Sequence, residues 1–154
     1  MSITIIPATH ADAARLTKLH QASFANAAWS QDQIAGSLDL PTTHTALAIS
    51  DNGDAGFMMT QITQDHSEIL TFCVSPTFRR QGIAARLMQD ALDAVRSTGC
   101  LKLILEVAAD NAPALALYHK AGFQNLGRRA NYYAHTTPPV DALVLALTFI
   151  PSVP

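Results

Sequence analysis

Cysteine is scarce in this chain of 154 residues: there are two, Cys73 and Cys100. They form neither a C-x-x-C pair nor a zinc spacing. Both sit in apolar runs, so each is expected to be a reduced, small core residue. Excess basic charge is missing too. The formal net charge is −2, and Arg79-Arg80 and Arg128-Arg129 are the only adjacent basic pairs. A duplex-binding surface needs clustered positive charge, so nucleic acid is not an expected partner. No apolar run approaches the ~20 residues that span a bilayer. The opening Met1-Ser2-Ile3-Thr4-Ile5-Ile6-Pro7 lacks the basic start and long apolar core of a signal peptide. The expectation is a cytoplasmic protein with no membrane partner. Repeats, low-complexity stretches and linkers are absent, so residues 1–154 are expected to form a single domain.

What is present is a strong apolar pattern. Hydrophobic residues make up 49% of the chain, which argues for a folded globule. A chain of this size buries roughly 70% of its unfolded surface without covalent staples. Ile3 to Ile6 reads as a short strand ended by Pro7. Thr9 and Asp12 suit a helix start, followed by the stripe Ala13, Leu16, Leu19 and Phe24. Ser30 and Gln33 form an S-x-x-Q capping box for a second, short helix. Thr45 to Ile49 and Ala55 to Ile62 read as strands across the turn Asp51-Asn52-Gly53-Asp54. Ile69 to Val74 is a third strand, stopped by Ser75-Pro76. Ile83, Leu87, Ala91 and Val95 mark one face of a helix that Gly99 ends. Leu101 to Val107 reads as a buried strand. Asn111 caps a further helix with Pro113 in its first turn. Phe123 to Ala134 and Asp141 to Phe149 complete the order β-α-α-β-β-β-α-β-α-β-β. That order predicts an α/β fold whose sheet mixes antiparallel and parallel pairs.

The segment Arg79-Arg80-Gln81-Gly82-Ile83-Ala84 joins a strand to a helix start. The first turn of a helix leaves backbone N–H groups unpaired, and the helix dipole adds partial positive charge there. Phosphate binds such a place. Gly82 carries no Cβ, so backbone can approach a ligand closely. An exposed basic loop before an ordinary helix has the same local pattern.

Glu106 is the odd residue in Leu103-Ile104-Leu105-Glu106-Val107. A carboxylate there is desolvated unless the strand end opens to a cleft, and burial raises a Glu pKa toward the range useful to a general base. A Glu at a strand end that simply faces water fits the same run. Tyr118, on the next helix, also fits as a core aromatic with its hydroxyl at the rim. Asn111 fits as a helix cap alone. His66, His119 and His135 are paired with no carboxylate at a metal or triad spacing, and no metal is expected.

The loop fits a Q/R-x-x-G-x-G/A signature, with Arg79 first, Gly82 fourth and Ala84 sixth. It resembles the GNAT superfamily of N-acetyltransferases. Leu105-Glu106-Val107, the run Asn111 to Tyr118, Ala121-Gly122-Phe123, Arg128 to Tyr133 and Asp141-Ala142-Leu143 are similar to the RimI branch of that family. Ala28-Trp29-Ser30 resembles the branch's Pro-Trp-Ser element, with Ala in place of Pro. The resemblance runs from about Trp29 to Phe149 and is strongest from Glu68 onward. It implies a GNAT-like, partly splayed sheet flanked by helices, acetyl-CoA as co-substrate, and transfer of acetyl to a primary amine.

By position, Glu106 corresponds to the branch's general base and Tyr118 to its general acid. Phe72, Cys73 and Val74 correspond to the splayed strand that bonds the pantetheine arm and offers an N–H donor. Arg79, Arg80, Gln81, Gly82, Ile83, Ala84 and Ala85 correspond to the pyrophosphate loop, and Asn111 to a contact with the CoA arm. Trp29, Tyr132 and Tyr133 are candidates for the acceptor side. Trp29 also fits as a helix-start anchor, and the tyrosines as a domain edge.

The implied acceptor is the N-terminal α-amine of a protein, a ribosomal protein's alanine above all. An α-amine has a pKa near 8 and is roughly one-tenth neutral at pH 7, whereas lysine, at ~10.4, is far less available. Lysine or small-molecule acetylation, and a non-catalytic acyl-CoA-binding module, are the alternatives. A monomer or weak dimer is expected.

Overall fold

The computed structural model describes residues 2–133 and 137–150. The chain opens with strand β1 (Ile3–Pro7) and continues into helices α1 (Ala13–Phe24) and α2 (Gln31–Leu38). Strands β2 (Thr43–Ser50), β3 (Gly53–Ile62) and β4 (Ser67–Val74) follow. Helix α3 (Ile83–Ser97), strand β5 (Lys102–Ala108) and helix α4 (Ala112–Ala121) lead to the closing strands β6 (Gln124–Tyr133) and β7 (Val140–Thr148). The element order is the one the sequence predicts.

Local chemistry explains the boundaries. Ser30 Oγ accepts from the Gln33 N–H at 3.2 Å, and Gln33 Oε1 accepts from the Ser30 N–H at 2.8 Å, so the α2 capping box forms as read. The helix start at Thr9 and Asp12 forms as well: the Thr9 N–H donates to Asp12 Oδ2 at 2.9 Å, and the pair closes a short 3-10 turn (His10–Asp12) that runs directly into the α-helix at Ala13. The β2–β3 turn is tighter than expected. Gly53, at φ 119°, already pairs with Ser50, so the strands reach closer to the turn. Ala134, assigned from sequence to β6, and His135 lie outside the described residues.

The seven-stranded sheet has the order β1-β2-β3-β4-β5-β7-β6. All neighbouring pairs are antiparallel except β4 with β5. That parallel pair is brief: Ser67 meets Leu103 and Glu68 meets Ile104. Beyond it β4 continues along β3, through a register shift opposite Met59 and Thr60. Meanwhile β5 runs beside β7 from Lys102 to Ala108. The sheet therefore splays between β4 and β5, which pair nowhere else among the described residues.

Each sheet face carries its own apolar layer. On one, Ile83, Leu87, Ala91 and Val95 of α3 are almost wholly buried, and Tyr118 of α4 joins them with Leu103, Leu105 and Val107 of β5. On the other, Leu16 and Leu19 of α1 and Ile34 of α2 pack on Leu47, Phe57, Met59 and Cys73. Burying each large aliphatic side chain is worth about 1.5–3 kcal/mol.

Arg15 ties α1 to the start of β3 through Asp54 (2.6 Å) and also bonds Asp12 (3.0 Å). The Arg15 guanidinium holds the Asp54 carboxyl below the usual carboxylate range. A depressed carboxyl stabilises the fold above its unfolded value near 3.9 and loses that contribution as pH falls through the folded value. Part-exposure limits the size of this effect.

One glycine is set by close approach. A Cβ on Gly56 would stand 2.5 Å from the Cys73 carbonyl oxygen and 3.0 Å from Val74 Cα. Both are backbone atoms of β4. Gly56→Ala is expected to cost about 1–3 kcal/mol and to lower the melting temperature by several degrees. An unchanged melting temperature would show that β4 yields freely at this point.

Candidate active site

After Val74 the chain makes a 3-10 turn (Pro76–Phe78) and then the loop that opens α3. Arg80 has φ 65° and Gly82 φ 74°, both in the left-handed region. A non-glycine residue held there stores strain, which is typical of ligand-gripping loops. Alternation of this kind turns successive N–H groups to one side, as in an anion nest. Gly82 precedes α3 without any side-chain cap. The first helical N–H to be satisfied from within the turn is that of Arg86, bonded to the Gly82 carbonyl at 3.2 Å. The amides of Ile83, Ala84 and Ala85 lie ahead of it, at the positive end of the helix.

This loop forms one end of a cleft of about 690 Å³ between β4 and α4. Phe72, Cys73, Val74, Arg79, Arg80, Gly82, Ile83, Ala84, Ala85 and Asn111 all line it. Gln81 is exposed and lies outside the lining. The Arg79 Nε–H donates to the Val74 carbonyl at 3.3 Å, which ties the loop to the strand end. Cys73 is buried and free, and burial pushes its thiol up to about 11. It therefore acts as packing rather than as a nucleophile. Pro113, Leu117 and, from α1, Ser23 and Phe24 also line the cleft. The α1 contribution has no local sequence signal, because it depends on how α1 crosses the sheet.

A second cleft of about 340 Å³ holds Glu106, Tyr118 and Tyr133. Phe24, Phe72, Asn111 and Ala114 line both clefts, so the two meet at the splay. Alternation along β5 explains Glu106. Leu103, Leu105 and Val107 are buried in the α3–α4 layer, which turns Glu106 to the opposite face.

Burial is not what dominates the surroundings of Glu106. Its side chain is 25% exposed, and Oε1 accepts from Arg129 Nη1 at 2.7 Å. The Arg129 guanidinium also lies 4.2 Å from the Tyr132 ring centroid. The β6–β7 hairpin delivers this arginine. Asp141 of β7 accepts from Arg128 Nε at 2.6 Å and from the Asn131 N–H at 2.8 Å, which fixes the twist of β6 beside the cleft. No local sequence pattern singles out Arg129.

Tyr118 is 5% exposed and meets Phe72 and Phe123 edge-on, at 6.3 and 5.8 Å between ring centroids. Desolvation, and next the nearby Tyr133, push its phenol well above the ordinary tyrosine value. Desolvation raises Tyr133 likewise, reinforced by the Glu106 charge. Both phenols therefore stay protonated through neutral pH and can donate hydrogen.

Of the acceptor-side candidates, Tyr133 lines the second cleft, whereas Trp29 and Tyr132 do not. Trp29 packs against the α1–α2 layer, and its backbone N–H donates to His20 Nδ1 at 3.1 Å. Its position fits the anchor reading. Tyr132 is 46% exposed and touches the site through Arg129. His119 bonds Asn125 at 3.3 Å and His66 sits in an exposed turn with Thr63. Neither lines the two clefts. Among the described residues no cluster of His, Cys, Asp or Glu is placed to hold a metal ion, and no helix is long and apolar enough to cross a membrane.

The sequence profile of the Acetyltransferase (GNAT) family matches residues 8–123. The chain is 37% identical over 100 residues to the [ribosomal protein bS18]-alanine N-acetyltransferase of Escherichia coli, covering 64% of this chain and 68% of that one. It is 35% identical over 136 residues to the N-alpha-acetyltransferase RimI of Mycobacterium tuberculosis, covering 85% and 84%. The crystal structure of the ribosomal-protein-S18-alanine N-acetyltransferase from Escherichia coli superposes with a TM-score of 0.91 at 28% identity. That superposition covers 99% of this chain and 97% of that one.

Proposed function

The chain belongs to the GNAT family and is an acetyl-CoA-dependent N-acetyltransferase, and from that premise we propose that its acceptor is the N-terminal α-amine of a protein, with alanine first. The observation that carries the proposal is the junction of the two clefts. A carboxylate (Glu106) and a buried phenol (Tyr118) face a space that opens onto the cleft ending in the Arg79–Ala85 loop.

The first cleft fits the co-substrate. Loop amides and the two arginines suit a pyrophosphate, the free edge of β4 suits a pantetheine arm, and Asn111 stands where the clefts join. Bound there, acetyl-CoA supplies an activated acetyl thioester.

The residues on the acceptor side have distinct tasks. Glu106 takes a proton from the incoming ammonium, directly or through one water. Arg129 holds the carboxylate beside the cleft by donating to its Oε1. Tyr118 returns a proton to the leaving thiolate, and its raised pKa keeps that proton in place until it is needed. An α-amine suits this arrangement because its pKa lies about two units below that of lysine. The ribosomal-protein activity in the names of the relatives from Escherichia coli supports the same reading. Asp110 joins Glu106 in the second cleft lining, which favours acceptors with a basic residue just after the first.

The test is a paired assay. A peptide with a free N-terminal alanine is expected to be acetylated faster than the same peptide blocked at its N-terminus and carrying a lysine. Preference for the blocked peptide, or for polyamines over both, overturns the acceptor while leaving the acetyltransferase activity standing.

A further inference from the structure

His20 is a buried polar residue that the proposed chemistry does not use. It is 2% exposed and walled by Phe24, Trp29 and Phe57, with ring centroids 4.4, 5.5 and 6.1 Å away. Its two nitrogens have defined roles. Nδ1 accepts the Trp29 backbone N–H at 3.1 Å, so in the neutral ring the hydrogen sits on Nε2. Nε2 lies 2.9 Å from Thr71 Oγ1 and therefore donates to it. Desolvation lowers the pKa of His20, in keeping with a neutral ring.

That bond orients Thr71. A threonine hydroxyl has one hydrogen to give, and with His20 donating to its oxygen, that hydrogen must point elsewhere. Thr71 lies on β4 beside the splay and lines the second cleft together with Glu106 and Tyr118. The α1 helix thus reaches across the sheet face to a hydroxyl that lines the acceptor space, and leaves that hydroxyl its hydrogen to give to another group.

We propose that Thr71, held by His20, is a specificity-determining residue whose hydroxyl donates a hydrogen bond to the carbonyl oxygen of the acceptor's first residue. This inference rests on the α-amine reading above. In a peptide α-amine, the carbon that bears the nitrogen also bears a carbonyl. When that carbonyl leaves water for the cleft it needs a donor, or its desolvation is uncompensated. A carboxylate such as that of Glu106 offers none. A lysine side chain or a simple alkylamine has methylene or methyl groups at the same place and gains nothing from Thr71. The hydroxyl therefore separates peptide N-termini from other amines, independently of their basicity.

The experiment compares kcat/KM for a short peptide with free N-terminal alanine against isopropylamine, which presents a similar head without the carbonyl. The peptide-to-amine ratio is then compared between variants, which cancels the difference in amine basicity. Thr71→Val keeps the shape and removes the hydroxyl. It is expected to lower the ratio about tenfold, the size of one neutral hydrogen bond, chiefly through a higher KM for peptide. Thr71→Ser, which restores a hydroxyl, is expected to recover most of the ratio. Retention of the acetyl-CoA-induced rise in melting temperature reports that each variant is folded. Should Thr71→Val fail that check, Thr71→Ala leaves room for a water to accept from His20 and takes its place. A ratio unchanged by loss of the hydroxyl, in a wild-type enzyme that does prefer the peptide, overturns the inference and leaves the α-amine reading intact. A wild-type enzyme that uses isopropylamine as well as the peptide overturns both.

Discussion

Glu106→Gln is expected to lower kcat by roughly a hundredfold or more, the lower end of what a positioned general base contributes. Acetyl-CoA binding should be almost untouched, because Glu106 lines the second cleft and not the first. Gln is close to isosteric, and its Oε1 can still accept from Arg129, so the β6–β7 hairpin should stay in place. What disappears is the ability to take a proton. Steady-state kinetics with a peptide acceptor, beside a thermal-shift titration with acetyl-CoA, separates the two effects. Full activity of the variant across pH would show that the acceptor arrives neutral and needs no base.

Tyr118→Phe belongs to the same experiment. It keeps the ring against Phe72 and Phe123 and removes the proton donor. Because burial holds the Tyr118 phenol above its ordinary value near 10, its protonation does not change between pH 7 and 9. The loss in kcat should therefore be the same at both ends of that range. A loss confined to one end would assign the titration to another group.

Gly82→Glu is expected to abolish acetyl-CoA binding. Gly82 sits at φ 74°, where a residue with a Cβ is strained by about 1–2 kcal/mol. The substitution also sets a carboxylate at a helix N-terminus beside a bound pyrophosphate. In the unmodified chain, acetyl-CoA at a hundred times its Kd should stabilise the fold by about 2.7 kcal/mol. The variant should show no such shift. Gly82→Ala is the control. A Cβ there meets nothing within 4 Å, so it isolates backbone strain from charge and bulk and should retain part of the shift. If millimolar acetyl-CoA leaves the melting temperature of the unmodified chain unmoved, the assignment of the first cleft fails.

Much of this protein is legible within short stretches of sequence. The α3 stripe of Ile83, Leu87, Ala91 and Val95 announces its buried face because helical periodicity is set by residues within a few turns of each other. The Ser30–Gln33 box, the Gly82 turn and the Asn111 cap are likewise local agreements between side chain and backbone. Glu106 stands out because a carboxylate interrupts an apolar strand. Tyr118 follows from its place on the next helix.

Other features depend on distance along the chain. The Glu106–Arg129 pair joins residues 23 apart and exists only because β7 lies between β5 and β6 in the sheet. The His20–Thr71 bond spans 51 residues and needs α1 to cross β4 at one particular place. Tyr132 and Tyr133 are neighbours in sequence, yet only Tyr133 lines the second cleft. Successive strand residues point to opposite faces, and register alone decides which of them meets the site. Residue type and spacing thus determined the elements, the loop that opens α3 and the two side chains proposed to handle protons, Glu106 and Tyr118. The splay, the arginine on Glu106 and the histidine behind the threonine were decided by tertiary packing, because strand register and helix crossing bring together groups that no local pattern links.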